Sequence, residues 1–136
     1  MQSIAKTLLG IVMSVKLKID VYEGDKKYIQ YWCQGCKRHH AITVPSWTWD
    51  GSMDAPTFGP SVLSTSGHHC VGEPQPPNCH ICNEHAADPE LYEGSWACMR
   101  CHTFIRGGMV EFLSDCTHAL AGQTLPLPDL PDWMLK

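Results

Sequence analysis

The stretch Cys101-His102-Thr103-Phe104-Ile105-Arg106-Gly107-Gly108-Met109-Val110-Glu111-Phe112-Leu113-Ser114 decides the fold. Two apolar-rich runs flank a Gly-Gly pair, which suits a two-residue hairpin turn because both central positions of such a turn need positive φ. Pairing Arg106 with Met109 sets Thr103 opposite Phe112 and Cys101 opposite Ser114. The register therefore carries Cys101 close to Asp115, Cys116 and His118.

Upstream lies a second hairpin. Val15–Val21 alternates apolar and polar residues as a half-buried strand does, and Glu23-Gly-Asp-Lys26 turns the chain into a second strand, Lys27–Trp32. This hairpin delivers Cys33. Cys33-Gln-Gly-Cys36 reads as a zinc-knuckle turn, with Gly35 freeing the backbone so that amides can point at the thiolates. His40–Val44 leaves the knuckle as a strand, Trp47–Gly51 alternates again, and Pro56–Pro60 interrupts pairing before a short strand, Ser61–Ser64. Residues 66–98 show no sustained periodicity and read as a Cys-rich irregular insertion. A helical turn at Thr117–Ala121, ended by Gly122, precedes the Leu-Pro repeats of residues 125–136, whose prolines enforce an extended tail pinned by Trp133. In residues 1–14, Ile4, Leu8, Ile11 and Val12 recur at helical spacing and predict a docking helix. The expected fold is a small, metal-stabilised, β-rich domain over residues 15–124, α+β at most, built from zinc-knuckle or zinc-ribbon-like hairpins.

The chain has 136 residues, 43% of them hydrophobic, with 8 Cys and 8 His. That is room for one domain with a modest core and excludes a large multi-domain enzyme. Cysteine spacing points to metal rather than disulfides. Cys33/Cys36, Cys79/Cys82 and Cys98/Cys101 are Cys-x-x-Cys pairs, a gap that suits two thiolates on one tetrahedral ion and rarely closes a structural disulfide. A net charge of −4 has the wrong sign for a binder of phosphate backbones. With eight thiolates and two zinc ions it would reach about −8. No run approaches the ~20 apolar residues of a membrane span, and the apolar stretch after Lys6 lacks a cleavage site, so a cytoplasmic protein is expected.

The ligands divide in two ways. Cys79, Cys82, Cys98 and Cys101 match a zinc-ribbon spacing, leaving Cys33, Cys36, Cys70, Cys116 and the histidines for a second ion. The hairpin register instead groups Cys33, Cys36 and Cys101, closed by His118 or Cys116, with Cys70, Cys79, Cys82 and Cys98 as a second site. Each structural zinc would contribute ~10–16 kcal/mol of apparent binding free energy, enough to dominate so small a fold.

The segments Trp32-Cys-x-Gly-Cys36, Trp49-Asp-Gly-x-Met-Asp-x-Pro-Thr-Phe-x-Pro-Ser61, Cys101-His-x-Phe-Ile-x-x-Gly108 and Phe112-Leu-x-Asp-Cys-Thr-His-Ala-Leu-Ala-Gly-Gln123 together resemble an uncharacterised family of small tailed-phage and prophage proteins. The resemblance runs from about Met13 to the Leu-Pro tail. Because many members of that family have a short link in place of the insertion, it implies that Cys70, Cys79, Cys82 and Cys98 are an elaboration, which favours the second partition. The ammonia-monooxygenase label that some relatives carry finds no membrane span or copper site here.

Other residues have plainer readings. His102 points away from Cys101 on its strand and is expected to hydrogen-bond rather than ligate. Asp115 reads as a cap or an acceptor for a ligand's hydrogen bond, and His39, His40, His68 and His69 as solvated, the alternative being that one of them replaces a cysteine ligand. Trp47, Trp49 and Phe58 read as core or as a lid over the metal. The function expected is that of a non-enzymatic zinc-binding phage protein with no catalytic residues. It would act through contacts with a protein partner such as a host factor, in the host cytoplasm. The alternatives are a virion component (decoration, neck or tail protein) and a zinc hydrolase using Asp115 or His102 as base. Thiolate-rich zinc is a weak Lewis acid, and H-E-x-x-H and G-x-S-x-G are absent, which counts against the hydrolase.

Overall fold

A computed structural model describes residues 7–8, 11–12, 15–66, 82, 84, 87–88, 90 and 98–135. The described chain is β-rich, as expected. Its strands are β1 (Thr7–Leu8), β2 (Ile11–Val12), β3 (Lys18–Tyr22), β4 (Lys26–Cys33), β5 (Arg38–Val44), β6 (Thr48–Trp49), β7 (Phe58–Gly59), β8 (Val62–Ser66), β9 (Met99–Arg106), β10 (Met109–Phe112) and β11 (Thr124–Pro126). A 3₁₀ turn over Asp132–Leu135 follows.

Two antiparallel sheets form the body: three strands in the order β3-β4-β5, and four in the order β11-β10-β9-β8. In the second, Arg106 pairs with Met109 and Thr103 with Phe112, the register read from the Gly-Gly turn. Gly107 and Gly108 have φ of +56° and +78°, which side-chain-bearing residues rarely adopt, so this dipeptide fixes the pairing. Alternation then sorts the strands. Cys101, Thr103 and Ile105 of β9 are buried, with Val110 and Phe112 of β10 and Val62 of β8. Leu17, Ile29, Tyr31, Cys33 and Ile42 come from the first sheet and its approach. One hydrophobic cluster unites both sets, so the core lies between the sheets.

The Leu-Pro tail is extended and docked. Leu127 and Leu130 are each only 1% exposed, the Leu130 amide donates to Val15 O at 2.8 Å, and Lys16 Nζ donates to Leu127 O at 2.8 Å. Trp133 meets Trp32 edge to face but stays 61% exposed, so the leucines, more than the tryptophan, hold the tail. Two local readings differ. β1 and β2 pair antiparallel, Thr7 with Val12 and Leu8 with Ile11, where a docking helix was expected, because a helical spacing read over so few residues is a weak signal. Where a single helical turn was expected, residues 117–123 form two successive i→i−3 turns, with the Ala121 amide on His118 O at 3.3 Å and the Gln123 amide on Leu120 O at 3.0 Å.

Candidate functional site

Two features meet on β9, one on each face. On the buried face, Cys101 stands beside the Cys33–Cys36 knuckle. The ligand atoms of Cys33, Cys36, His40 and Cys101 all lie within 4.8 Å of one another, and those of Cys101, Cys116 and His118 form a second group sharing Cys101. Cys33 Sγ is 3.7 Å from Cys101 Sγ. Two thiolates 2.3 Å from one tetrahedral ion would sit about 3.8 Å apart, so the spacing fits a bound ion. His118 Nε2 is 3.5 Å from Cys101 Sγ. A Cβ on Gly35 would fall 2.3 Å from the His118 ring, so that glycine is what allows the imidazole to lie against the knuckle. These Cys and His groups can hold a metal ion.

The thiols cannot all ionise without a counter-charge. Hydrogen bonds from Cys101 and Cys36 hold the Cys33 thiol far below its usual range, so it ionises first. Its neighbourhood with Cys33 and Cys36, together with burial, pushes Cys101 far up. For Cys36 the hydrogen bond with Cys101 lowers the pKa, but Cys33 and burial outweigh it and the value rises to about 11. A dication would offset the repulsion that keeps the second and third protons on.

The outer face of β9 carries a different arrangement. His102 Nε2 lies 3.0 Å from Ser61 Oγ, and its Nδ1 lies 3.2 Å from Asp115 Oδ2. A hydroxyl, an imidazole and a carboxylate thus stand in series, each on a different element. Ser61 directly precedes β8, and its carbonyl accepts from Trp47 Nε1 at 3.3 Å. His102 is mid-strand in β9. Asp115 lies in the segment after β10, which continues along β9: the Leu113 amide donates to His102 O at 2.9 Å, and the Thr117 amide to Arg100 O at 2.9 Å. Arg100 Nη1 stands 3.7 Å from Asp115 Oδ2. His102 and Asp115 side chains are 27% and 38% exposed, so the series is open to a reactant.

The two features are joined through backbone. His102 follows Cys101 in the chain, and Asp115 precedes Cys116. The His102 amide donates to Cys116 Sγ at 3.3 Å, and that thiol donates back to His102 O at 3.3 Å. Burial raises the Cys116 pKa, which keeps the sulfur protonated for the second of these bonds.

Of the residues expected to bind metal, the structure brings Cys33, Cys36 and Cys101 together and places Cys116 and His118 beside Cys101. Cys82 and Cys98 also meet, the Cys98 amide donating to Cys82 Sγ at 3.2 Å. Cys70 and Cys79 lie outside the described residues. His40, read from sequence as solvated, is 8% exposed and belongs to the thiol group. Its signal was the alternation of His40, Ile42 and Val44, which puts His40 on the core face of β5. Ser61 was read only as the start of a strand. His102 does hydrogen-bond, as expected, but its partners are Ser61 and Asp115 rather than groups around a metal.

Residues 11–113 match the sequence model of a family described as "Bacterial ubiquitination-like system serine protease (BubE)". No curated protein and no solved structure matches the chain. The family description overturns the non-enzymatic phage reading and its virion-component alternative, since it names a protease. It also overturns the expectation that the chain is not an enzyme. The hydrolase alternative was closer, with serine rather than zinc named as the reacting group. Among the described residues no helix is long and apolar enough to cross a membrane.

Proposed function

The chain belongs to the BubE family, and from that premise we propose that it hydrolyses peptide bonds with Ser61 as nucleophile, His102 as general base and acid, and Asp115 as the group that orients His102. The single observation carrying this reading is the continuous Ser61–His102–Asp115 hydrogen-bond series, 3.0 and 3.2 Å long. Such a triad is recognised by geometry and roles, since unrelated folds place its members in different chain orders.

In this reading Ser61 Oγ attacks the substrate carbonyl carbon while its proton passes to His102 Nε2. Asp115 accepts from Nδ1–H, which fixes the tautomer that leaves Nε2 free to take that proton and stabilises the imidazolium that forms. His102 then gives the proton to the departing amine. Water, deprotonated by the same imidazole, attacks the acyl-serine and restores Ser61. The substrate class is a polypeptide of a ubiquitination-like system, the setting that the family description names.

The metal in this reading is a structural zinc held by Cys33, Cys36, Cys101 and His40, with His118 packed against the knuckle. Zinc fits because three thiols and an imidazole form its usual tetrahedral donor set and leave no position open for a reacting water. When bound it supplies stability rather than chemistry. The chain's own residues use that stability: the strand that presents Cys101 inward presents His102 outward.

The test is cleavage of a proteome-derived peptide library. Wild-type protein should generate new amino termini, and Ser61→Ala should generate none. Equal cleavage by both proteins would overturn the assignment.

A further inference from the structure

Resting on the reading of Ser61 as nucleophile, we propose that the substrate binds as an added antiparallel strand on the free edge of β8, with the residues that precede the cleaved bond lying alongside Leu63 and Thr65. β8 is the last strand of its sheet. The register shows which of its backbone groups are free. Arg106 and Met109 flank a two-residue turn and form a hydrogen-bonded pair, so Phe104 and His102 also bond toward β10, as the Leu113 amide on His102 O shows. The alternate residues Thr103, Cys101 and Met99 then bond toward β8, where their partners are Val62, Ser64 and Ser66. By the same alternation Leu63 and Thr65 direct their N–H and C=O outward, and among the described residues no strand pairs with that edge. An extended peptide is the ligand that such alternating donors and acceptors fit.

Position and charge agree. Ser61 sits at the start of β8, so an antiparallel peptide runs toward it and ends with its carbonyl at the nucleophile. Leu63 is 55% exposed and stands directly opposite His102, an apolar side chain on the same face as the reacting groups. A cavity of about 440 Å³ is lined by Tyr28, Arg38, His39, His40 and Ala41 of the other sheet and by Ser64 of β8. Arg38 Nη2 reaches across to Ser66 Oγ at 3.0 Å. None of the six lining residues is a carboxylate, although the chain as a whole carries −4, so neutral or acidic substrate side chains are favoured there.

The test compares labelling rates of Ser61 by diphenyl phosphonates on the full-length protein. One probe carries a single acetylated residue, a second an acetylated tetrapeptide, and a third series the same tetrapeptide with each backbone amide methylated in turn. The tetrapeptide should react about tenfold faster than the single residue, the change that one or two hydrogen bonds produce, and one or more methylations should abolish the gain. Leu63→Pro removes only an outward N–H, which an edge strand tolerates, and should abolish it as well. If that variant does not fold, the methylated series on wild-type protein decides. Equal rates for all probes on Ser61 would overturn strand addition and leave the nucleophile standing. No reaction at Ser61 with any probe would overturn both.

Discussion

His102 Nε2 and Ser61 Oγ lie 3.0 Å apart although 41 residues separate them in the chain. The contact exists because β8 pairs with β9 in the register that sets Leu63 opposite His102, leaving Ser61 just beyond the strand's start. Ser61→Ala and His102→Ala should each lower kcat by about 10⁴-fold or more. The double variant should lose little beyond either single one, because the two act as a unit. Steady-state kinetics on peptides, with melting curves to show intact folds, checks this; additive losses would contradict it.

In the proposed triad Asp115 acts through His102. Asp115→Asn should lower kcat on the order of 10²–10⁴-fold while leaving KM nearly unchanged, since the amide presents a donor to Nδ1 and favours the wrong tautomer. Arg100 Nη1, 3.7 Å from the same carboxylate, is beyond hydrogen-bonding distance and matters less than the 3.2 Å contact of Asp115 with His102. Arg100→Ala should cost less than tenfold, and a larger loss than that of Asp115→Asn would invert the assignment.

The proposed zinc should be inseparable from the fold. Cys101→Ser or Cys33→Ser should abolish metal binding at the core site and unfold the domain, because a structural zinc contributes ~10–16 kcal/mol while whole domains retain only about 5–15. His40→Ala should weaken metal retention more than His118→Ala does. Metal analysis after dialysis against a chelator, alongside circular dichroism, distinguishes these outcomes.

Gly35→Ala should displace His118, whose ring would be 2.3 Å from the new Cβ. Phe112, 1% exposed and packed edge to face on His118 at 5.0 Å, loses part of its cover at the same time. A loss of about 1–3 kcal/mol is expected in chemical denaturation, the range for overpacking.

Asp50 supplies a pH test away from both sites. Its Oδ1 accepts from the Ser52 and Thr57 amides at 3.0 and 3.2 Å, and these bonds hold the carboxyl below its ordinary value. A carboxyl lowered by folding stabilises the native state above its unfolded pKa, and that contribution disappears as pH falls through the folded value. Asp50→Ala should therefore melt below wild type at neutral pH, and the two melting temperatures should converge in acid. A constant gap across pH would show that the charge is not what matters.

Local chemistry was the legible part of this sequence. Gly107-Gly108 dictated one turn, that turn dictated Arg106 opposite Met109, and the meeting of Cys33, Cys36 and Cys101 followed. His40 was hidden because each of two adjacent histidines on a strand reads as solvated until the neighbouring strand's Tyr31 shows which face is buried. Ser61 was hidden for a deeper reason. It closes the Pro-Thr-Phe-x-Pro-Ser segment, which carries no nucleophile signature such as G-x-S-x-G, and its relation to His102 and Asp115 depends on pairing β8 with β9 across an insertion without periodicity. Non-local register is what a single sequence states least clearly.

The most direct measurement is intact and peptide-level mass spectrometry after exposure to an alkyl fluorophosphonate, which phosphonylates only hydroxyls activated by a neighbouring base. A single adduct at Ser61, absent from His102→Ala, is the predicted result. An adduct confined to another residue, or none on folded and zinc-loaded protein, would contradict the account.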